Sequence, residues 1–300
     1  MTAPIAKPST ESLTDLLGAD QLRRLVALAI EEDLGDGDLT SSTAVPPGSR
    51  VLAKLVAKGD GVLAGLELFR EAFLVCDESA TIRLLKADGQ SVGIGDRVAE
   101  VVGDARAVLV AERTALNFLQ QLSGVATLTS AYVKLAAGRA RILDTRKTVP
   151  FLRSLQKYAV VCGGGANHRV GLYDEAMIKD NHLDLAGRDL ETLTREVRGR
   201  LGSDVPITSE ARNEQEARGA IRGGADVVLL DNMSIEEMTR LVPILRAEVG
   251  ERQVELEASG GMGLADVDAV AATGVDRISV GALTHSAPVL DLSLLVEVPD

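Results

Sequence analysis

QVELEASGGMGLADVDAVAATGVDRISVGAL, residues 253–283, reads as strand, glycine turn, helix, strand and second glycine turn. A helical stretch between two short apolar runs predicts parallel strands joined by a crossover. Upstream, the same pattern recurs in ARILDTRK (140–147), EAMIKDNH (175–182), VPITSEAR (205–212) and ADVVLLDN (225–232). Helical spacing over 152–161, 189–200, 213–222, 235–248 and 264–272 fills most of the gaps. Each run ends in polar, chemically capable residues: Asp144 to Lys147, Lys179 to His182, Glu210, Asp231-Asn232, Ser259 to Gly261, and Gly281-Ala282. Barrel enzymes gather their sites at that rim from many strands, whereas a doubly wound sheet concentrates ligands at one or two crevices. The expected fold class is therefore α/β, with a C-terminal open or incomplete TIM-like barrel. Six strands are legible, so either the barrel is incomplete or a strand is disguised around Ala159–Gly165.

The first half reads differently. Helical spacing runs from Thr14 to Glu32, followed by the acidic, glycine-punctuated loop EEDLGDGDLTSS (31–42). Strands are expected at 51–56, 61–64, 82–86 and 97–102, and a helix at 67–76. Two further helices, 105–121 and 125–137, are expected on either side of Gly124. The predicted organisation is a loose tail over 1–19, an α+β domain over 20–121 joined by the segment 287–300, and the barrel over 122–286.

Composition narrows the function. The formal net charge is −12, aromatics are 2% and Trp is absent. A broad basic face and stacking platforms are both missing, which argues against nucleic acid. No run of roughly 18 apolar residues predicts a membrane span, and a cytoplasmic protein is expected. Cys76 and Cys162 lack metal-ligand spacing and read as buried free thiols. Against this acidic background, Arg139 to Lys179 holds eight Arg or Lys and only three acids, with His168 inside it and His182 just beyond. Such an island suits a small, highly charged anion. Arg139, Arg141, Arg153 and Lys157 read as a solvated basic face; Arg146, Lys147, His168, Arg169 and Lys179 fall on strand tips or loops. Arg suits planar carboxylates through its fork, and Lys suits phosphate as a point charge. Gly260, Gly261 and Gly281 allow close backbone approach to phosphate, with a helix N-terminus following. Glu210 and Asp231 are placed to accept sugar hydroxyls, to hold Mg²⁺ directly or through water, or to serve as plain counter-charges. Ser259 has no base relay, and His285 reads as structural.

These residues form a pattern that resembles the quinolinate phosphoribosyltransferases. The resemblance rests on DTRKTVPFLRSLQKYAVVCGGGANHRVGLYDEAMIKDNH (144–182), with EDLGDGDLTS (32–41), AERTALNFLQQLSGVAT (111–127), VLLDNM (228–233), LEASGGM (256–262) and GVDRISVGALTHS (274–286) in the family's order. It implies an N-terminal α/β sandwich-like domain, an open α/β barrel and a homodimer, with a higher oligomer left open. It implies conversion of quinolinate and phosphoribosyl pyrophosphate, with Mg²⁺ and no organic cofactor, into nicotinate mononucleotide, CO₂ and pyrophosphate in NAD biosynthesis. By this resemblance Thr145, Arg146, His168, Arg169 and Lys179 hold quinolinate, with Arg113 reaching in from the partner subunit. Lys147, Glu210, Asp231, Ser259, Gly260, Gly261, Val280, Gly281 and Ala282 line the phosphoribosyl pyrophosphate side. Lys147, Lys179, Glu210 and Asp231 are the expected catalytic set. The chain departs from the family pattern at Phe151, at Thr208 and Ser209, and at Arg277, without removing a charge from the expected anion sites. Two rival readings are a non-decarboxylating phosphoribosyltransferase and a transport-linked relative associated with molybdenum uptake. The retained Lys179-Asp-Asn-His182 block favours catalysis over the second.

Overall fold

A computed structural model describes residues 12–250 and 252–297. Residues 1–11 of the expected loose tail lie outside that range, and the rest of it is not loose. Helix α1 (Leu13–Leu17) is capped by Ser12 and Asp15, and Leu13 is fully buried. Glu67 accepts hydrogen bonds from the backbone N–H groups of Leu13 and Thr14, both at 3.0 Å. Gly18, at φ +81°, divides α1 from α2 (Ala19–Leu34), where apolar spacing alone predicts one helix.

The chain divides into two compact units. Of the described residues, the first contains 12–130, Ser154–Gly164 and 287–297. After α3 (Leu39–Ala44) come β1 (Arg50–Ala57), β2 (Gly61–Val62), α4 (Leu66–Cys76), β3 (Thr81–Leu84), β4 (Ser91–Val92) and β5 (Arg97–Asp104). The long helix α5 (Ala105–Ala136) begins here and ends in the other unit. The last strand of the chain (Leu292–Glu297) pairs antiparallel with β1, as does β5, and β3 pairs with β5. Alternate residues of β1, namely Val51, Ala53, Leu55 and Ala57, are buried, as a one-sided antiparallel sheet requires. Asp88 caps α4 from outside, accepting from the N–H groups of Gly65 and Leu66 and from the Tyr158 hydroxyl at 2.7 Å. Cys76 is half-buried rather than buried, whereas Cys162 is buried. Burial, with the charge of Asp88, pushes the Cys162 thiol up to about 12.

The second unit contains Ala131–Arg153 and Gly165–Ser286. Its elements are β6 (Arg141–Leu143), α6 (Arg153–Cys162, mostly in the first unit), β7 (Ala176–Ile178), α7 (Asp180–Ala186), α8 (Leu190–Leu201) and β8 (Ile207–Ala211). They continue as α9 (Glu214–Gly223), β9 (Val227–Asp231), α10 (Ile235–Val249), β10 (Glu255–Ser259), α11 (Val267–Ala272), β11 (Arg277–Ser279) and α12 (Ala282–His285). All six strands are parallel, in the order β6-β11-β10-β9-β8-β7. Among the described residues β6 and β7 do not pair, so the barrel is open as expected. The stretch suspected of hiding a strand is the end of α6 and a turn; strand character there is one parallel bridge, Leu143 to Ala166. The run β9 is buried along Val227–Leu230 because a parallel barrel strand is covered on both faces, by helices outside and by the barrel interior inside.

Two helices expected around Gly124 are one helix of 32 residues. A glycine mid-helix normally costs about 0.5–1 kcal/mol relative to alanine, yet a Cβ at Gly124 would lie 2.0 Å from the Pro288 carbonyl oxygen. The glycine is there for backbone contact, not to end a helix. Gly124→Ala should therefore destabilise by about 1–3 kcal/mol in urea unfolding despite its better helix propensity. A gain in stability would remove the close contact from the account.

Candidate active site

The rim is assembled from the loop after β6 outward. Asp144 is fully buried, and its Oδ1 accepts the His168 backbone N–H at 2.9 Å, while its own N–H donates to the Ala166 carbonyl at 3.3 Å. Asp144 thereby joins the Arg146 loop to the His168–Arg169 loop. Arg169 donates to the Glu175 carbonyl at 3.3 Å and touches the Met177 sulfur at 3.5 Å. Burial lowers the Arg169 pKa from its ordinary value, and the charge of Arg146 lowers it further, against opposition from Glu175 and Asp174. The Nε of Arg146 is buried without a hydrogen-bond partner. Buried polar atoms are rarely left so, and each calls for an explanation. Two neighbouring guanidinium groups, one with an unused buried donor, have the chemistry to receive a carboxylate.

Lys179 follows β7 directly and is the N-cap residue of α7. Its Nζ donates to Glu210 Oε2 at 2.8 Å, across to the neighbouring strand β8. Its backbone N–H is held by His182 Nδ1 at 2.9 Å. Asp231 ends β9 in register with Ser259 at the end of β10. Asn232 follows Asp231 at φ +52° and donates to its Oδ2 at 2.8 Å. Gly260 lies so close to Asn232 that a Cβ would meet its Oδ1 at 2.2 Å. Gly260 thus meets a packing need, while Gly261, at φ +51°, is exposed with nothing near its Cβ direction. The helix expected directly after these glycines starts at Val267, because Gly263 and Asp266 form a turn first. Its N-terminus is therefore not at the glycines. Lys147 is exposed, and its side chain passes over Gly281, where a Cβ would sit 3.1 Å from the Lys147 Cδ.

Arg153 and Lys157, read from sequence as a solvated face, are not one. Lys157 is buried. Arg153 donates to Thr148 Oγ1 and to the Val170 carbonyl, both at 3.1 Å. Arg139 and Arg141 pair with Asp268 and Glu255. Arg113 is exposed on α5 and belongs to the first unit. A cleft of about 820 Å³ beside α7, α8 and α9 is lined by charges that already pair, Arg212 with Glu216 and Arg222 with Glu191.

Sequence reading missed the floor beneath the rim. Arg277 Nε donates to Glu257 Oε2 at 2.6 Å, from strand-paired positions on β11 and β10. The other oxygen of Glu257 is 3.5 Å from His168 Nε2, and Glu175 lies 3.9 Å from His168 Nδ1. Thr208 donates to Glu175 at 2.6 Å. Thr208 and Arg277, two of the four expected departures, thus hold the two acids that flank His168. Burial alone would raise the Glu257 pKa, but the neighbouring His168 ring and the Arg277 charge bring it below the usual carboxylate range. An acid inside an apolar strand run, as in VELEA, was the available signal.

Residues 38–123 match the quinolinate phosphoribosyl transferase N-terminal domain, and residues 125–295 match its C-terminal domain. The chain belongs to the quinolinate phosphoribosyltransferase family. Relatives in this family include a probable nicotinate-nucleotide pyrophosphorylase [carboxylating] from Bacillus subtilis, 42% identical over 91% of this chain and 93% of the relative. The Mycobacterium leprae nicotinate-nucleotide pyrophosphorylase [carboxylating] is 40% identical over 92% of this chain and 97% of its own length. Among solved structures, NadC from Streptococcus pyogenes aligns with a TM-score of 0.89 at 33% identity, over 97% of this chain and all of that one. The Francisella tularensis nicotinate-nucleotide pyrophosphorylase aligns with a TM-score of 0.85 at 39% identity, over 93% and 96%.

Removing Arg277 would leave Glu257 buried without its main counter-charge. Arg277→Met should cost about 3–5 kcal/mol in urea unfolding, and Arg277→Met/Glu257→Leu should recover most of it. Because the folded pKa of Glu257 is depressed, its stabilisation is present above the usual glutamate range and lost as pH falls through the lowered value. The double variant should accordingly show a shallower acid limb of melting temperature against pH. An acid limb as steep as that of the wild type would sink this assignment.

Proposed function

We propose that this chain is a decarboxylating quinolinate phosphoribosyltransferase that makes nicotinate mononucleotide, CO₂ and pyrophosphate in NAD biosynthesis. Family membership supplies the reaction; on this chain the observation that carries it is the Arg146–Arg169 pair, with its unused buried donor. Two adjacent guanidinium groups suit a dicarboxylate better than a single acid. Thr145, Arg146, His168, Arg169 and Lys179 are assigned to quinolinate. Lys147, Glu210, Asp231, Ser259 to Gly261 and Val280 to Ala282 are assigned to phosphoribosyl pyrophosphate.

In the reaction the bond from ribose C1 to pyrophosphate breaks while the quinolinate nitrogen bonds to C1. Lys147 faces the leaving pyrophosphate and offsets charge where it develops. The cations cancel repulsion between two polyanions and hold them in line, an effect that can supply up to about 7–11 kcal/mol. Glu210, steered by Lys179, and Asp231, steered by Asn232, orient the ribose hydroxyls. With the nitrogen alkylated, the pyridinium draws the electron pair of the bond from C2 to its carboxylate. CO₂ leaves, and C2 takes up a proton. The ring is its own electron sink, so the proposal requires no organic cofactor.

Among the described residues no group of three His, Cys, Asp or Glu is arranged to hold a metal. Two carboxylates at the ends of adjacent strands fit a Mg²⁺ that arrives on substrate phosphates and keeps several waters. Glu210 and Asp231 would hold it, directly or through water, and it would supply positive charge at the pyrophosphate oxygens.

The proposal includes a homodimer, or an assembly of such dimers, in which exposed Arg113 serves the partner's quinolinate site. It also includes a cytoplasmic location. Two free cysteines support this, and no described helix is long and apolar enough to cross a membrane.

Purified protein incubated with quinolinate, phosphoribosyl pyrophosphate and Mg²⁺ should release CO₂ and form nicotinate mononucleotide; turnover of nicotinate instead would overturn the reading. Arg146→Ala should lower kcat/KM by about 2–5 kcal/mol of transition-state binding, and a change under threefold would remove Arg146 from the site. Mixed dimers of Arg113→Ala and Lys147→Ala chains should regain activity that neither variant has. Verified mixed dimers without activity would argue against a shared site.

A further inference from the structure

We propose that Arg153 and Thr284 are positioning residues that act separately on the two halves of the site: Arg153 on the dicarboxylate half, Thr284 on the Lys147 half. The inference rests on the function just assigned. The loop after Asp144 carries two cations with different tasks, Arg146 toward quinolinate and Lys147 toward phosphoribosyl pyrophosphate. A loop this short would ordinarily move as one piece. Here it is tied from two sides.

On one side stands Arg153, the first residue of α6. Its Nε donates to Thr148 Oγ1 and its Nη1 to the Val170 carbonyl, both at 3.1 Å. Thr148 closes the loop that carries Arg146, and Val170 follows Arg169 directly. One guanidinium therefore joins the two segments whose own guanidinium groups repel each other. Both acceptors are uncharged oxygens, so the contribution is geometric rather than a cancellation of charge. A planar fork can span two separate acceptors in fixed directions; an ammonium cannot do so in the same way. The far segment is stiff enough to transmit the tie. Asp174 accepts from the N–H groups of Val170 and Gly171 at 2.6 and 2.8 Å, and Arg169 is fastened to the Glu175 carbonyl.

On the other side, Thr284 Oγ1 donates to the Lys147 carbonyl at 2.8 Å. The Lys147 N–H is received by Thr145 Oγ1 at 3.1 Å, and its side chain is laid over Gly281. Lys147 is thus anchored to the exit of β11 without help from Arg153. Misplacing one cation need not misplace the other.

Steady-state kinetics and separate binding calorimetry with pyridine-2,3-dicarboxylate and with phosphoribosyl pyrophosphate test this in Arg153→Met, Arg153→Lys, Thr284→Val and Thr284→Ser. Arg153→Met should weaken the dicarboxylate roughly ten- to hundredfold, the scale of a small misplacement, and leave phosphoribosyl pyrophosphate within about twofold. Arg153→Lys, which keeps the charge and the helix start, should restore little, and it carries the test if the Met variant does not fold. Thr284→Val should show the reverse selectivity, and Thr284→Ser should restore it. Equal effects of Arg153→Lys on both ligands, or none on the dicarboxylate, would overturn the proposal. A wild type that binds both ligands and makes no nicotinate mononucleotide would instead overturn the function, leaving the binding split to decide the tethers.

Discussion

Two guanidinium groups held close together against their own repulsion are the constraint around which the rim is built. Arg146 and Arg169 stand on different loops, and nothing in their own chemistry would bring them together. Asp144, buried below them, grips the backbone at His168; the Glu175 carbonyl fastens Arg169; Arg153 spans both loops from the side. Under the proposed assignment, a dianion bound between them would offset that repulsion.

The barrel floor obeys a related logic. Glu257 and Arg277 sit on strand-paired positions, nearly out of contact with solvent. A buried charge without a partner is expensive, so each requires the other. Their pairing also fixes which oxygen of Glu257 faces His168, while Thr208 fixes Glu175 on the ring's other side. Thr208 and Arg277, two of the four positions at which the sequence was expected to depart from its family's pattern, therefore meet in one cluster around one histidine.

Much of the fold was legible. Runs such as ADVVLLDN announced buried parallel strands, and polar residues at each run's end announced the rim. The errors have physical causes. Gly124 and Gly18 look alike in sequence; one allows two backbones to touch inside a helix, and the other turns the chain at φ +81°. Arg153 and Lys157 look like a solvated stripe because helical spacing says nothing about what packs on the helix. The delay of α11 to Val267 follows from a side-chain-closed turn that apolar periodicity does not register.

By itself, the sequence determined the alternation of strand and helix, the basic island in an acidic chain, and the residues at each strand end. Those follow from local spacing and residue chemistry, which survive in one dimension. Only the tertiary structure decided which cations became neighbours, which acids pair with Lys179, His168 and Arg277, and which glycines served packing. These are properties of distance between residues far apart in the chain. Register and burial set such distances, and composition does not encode them.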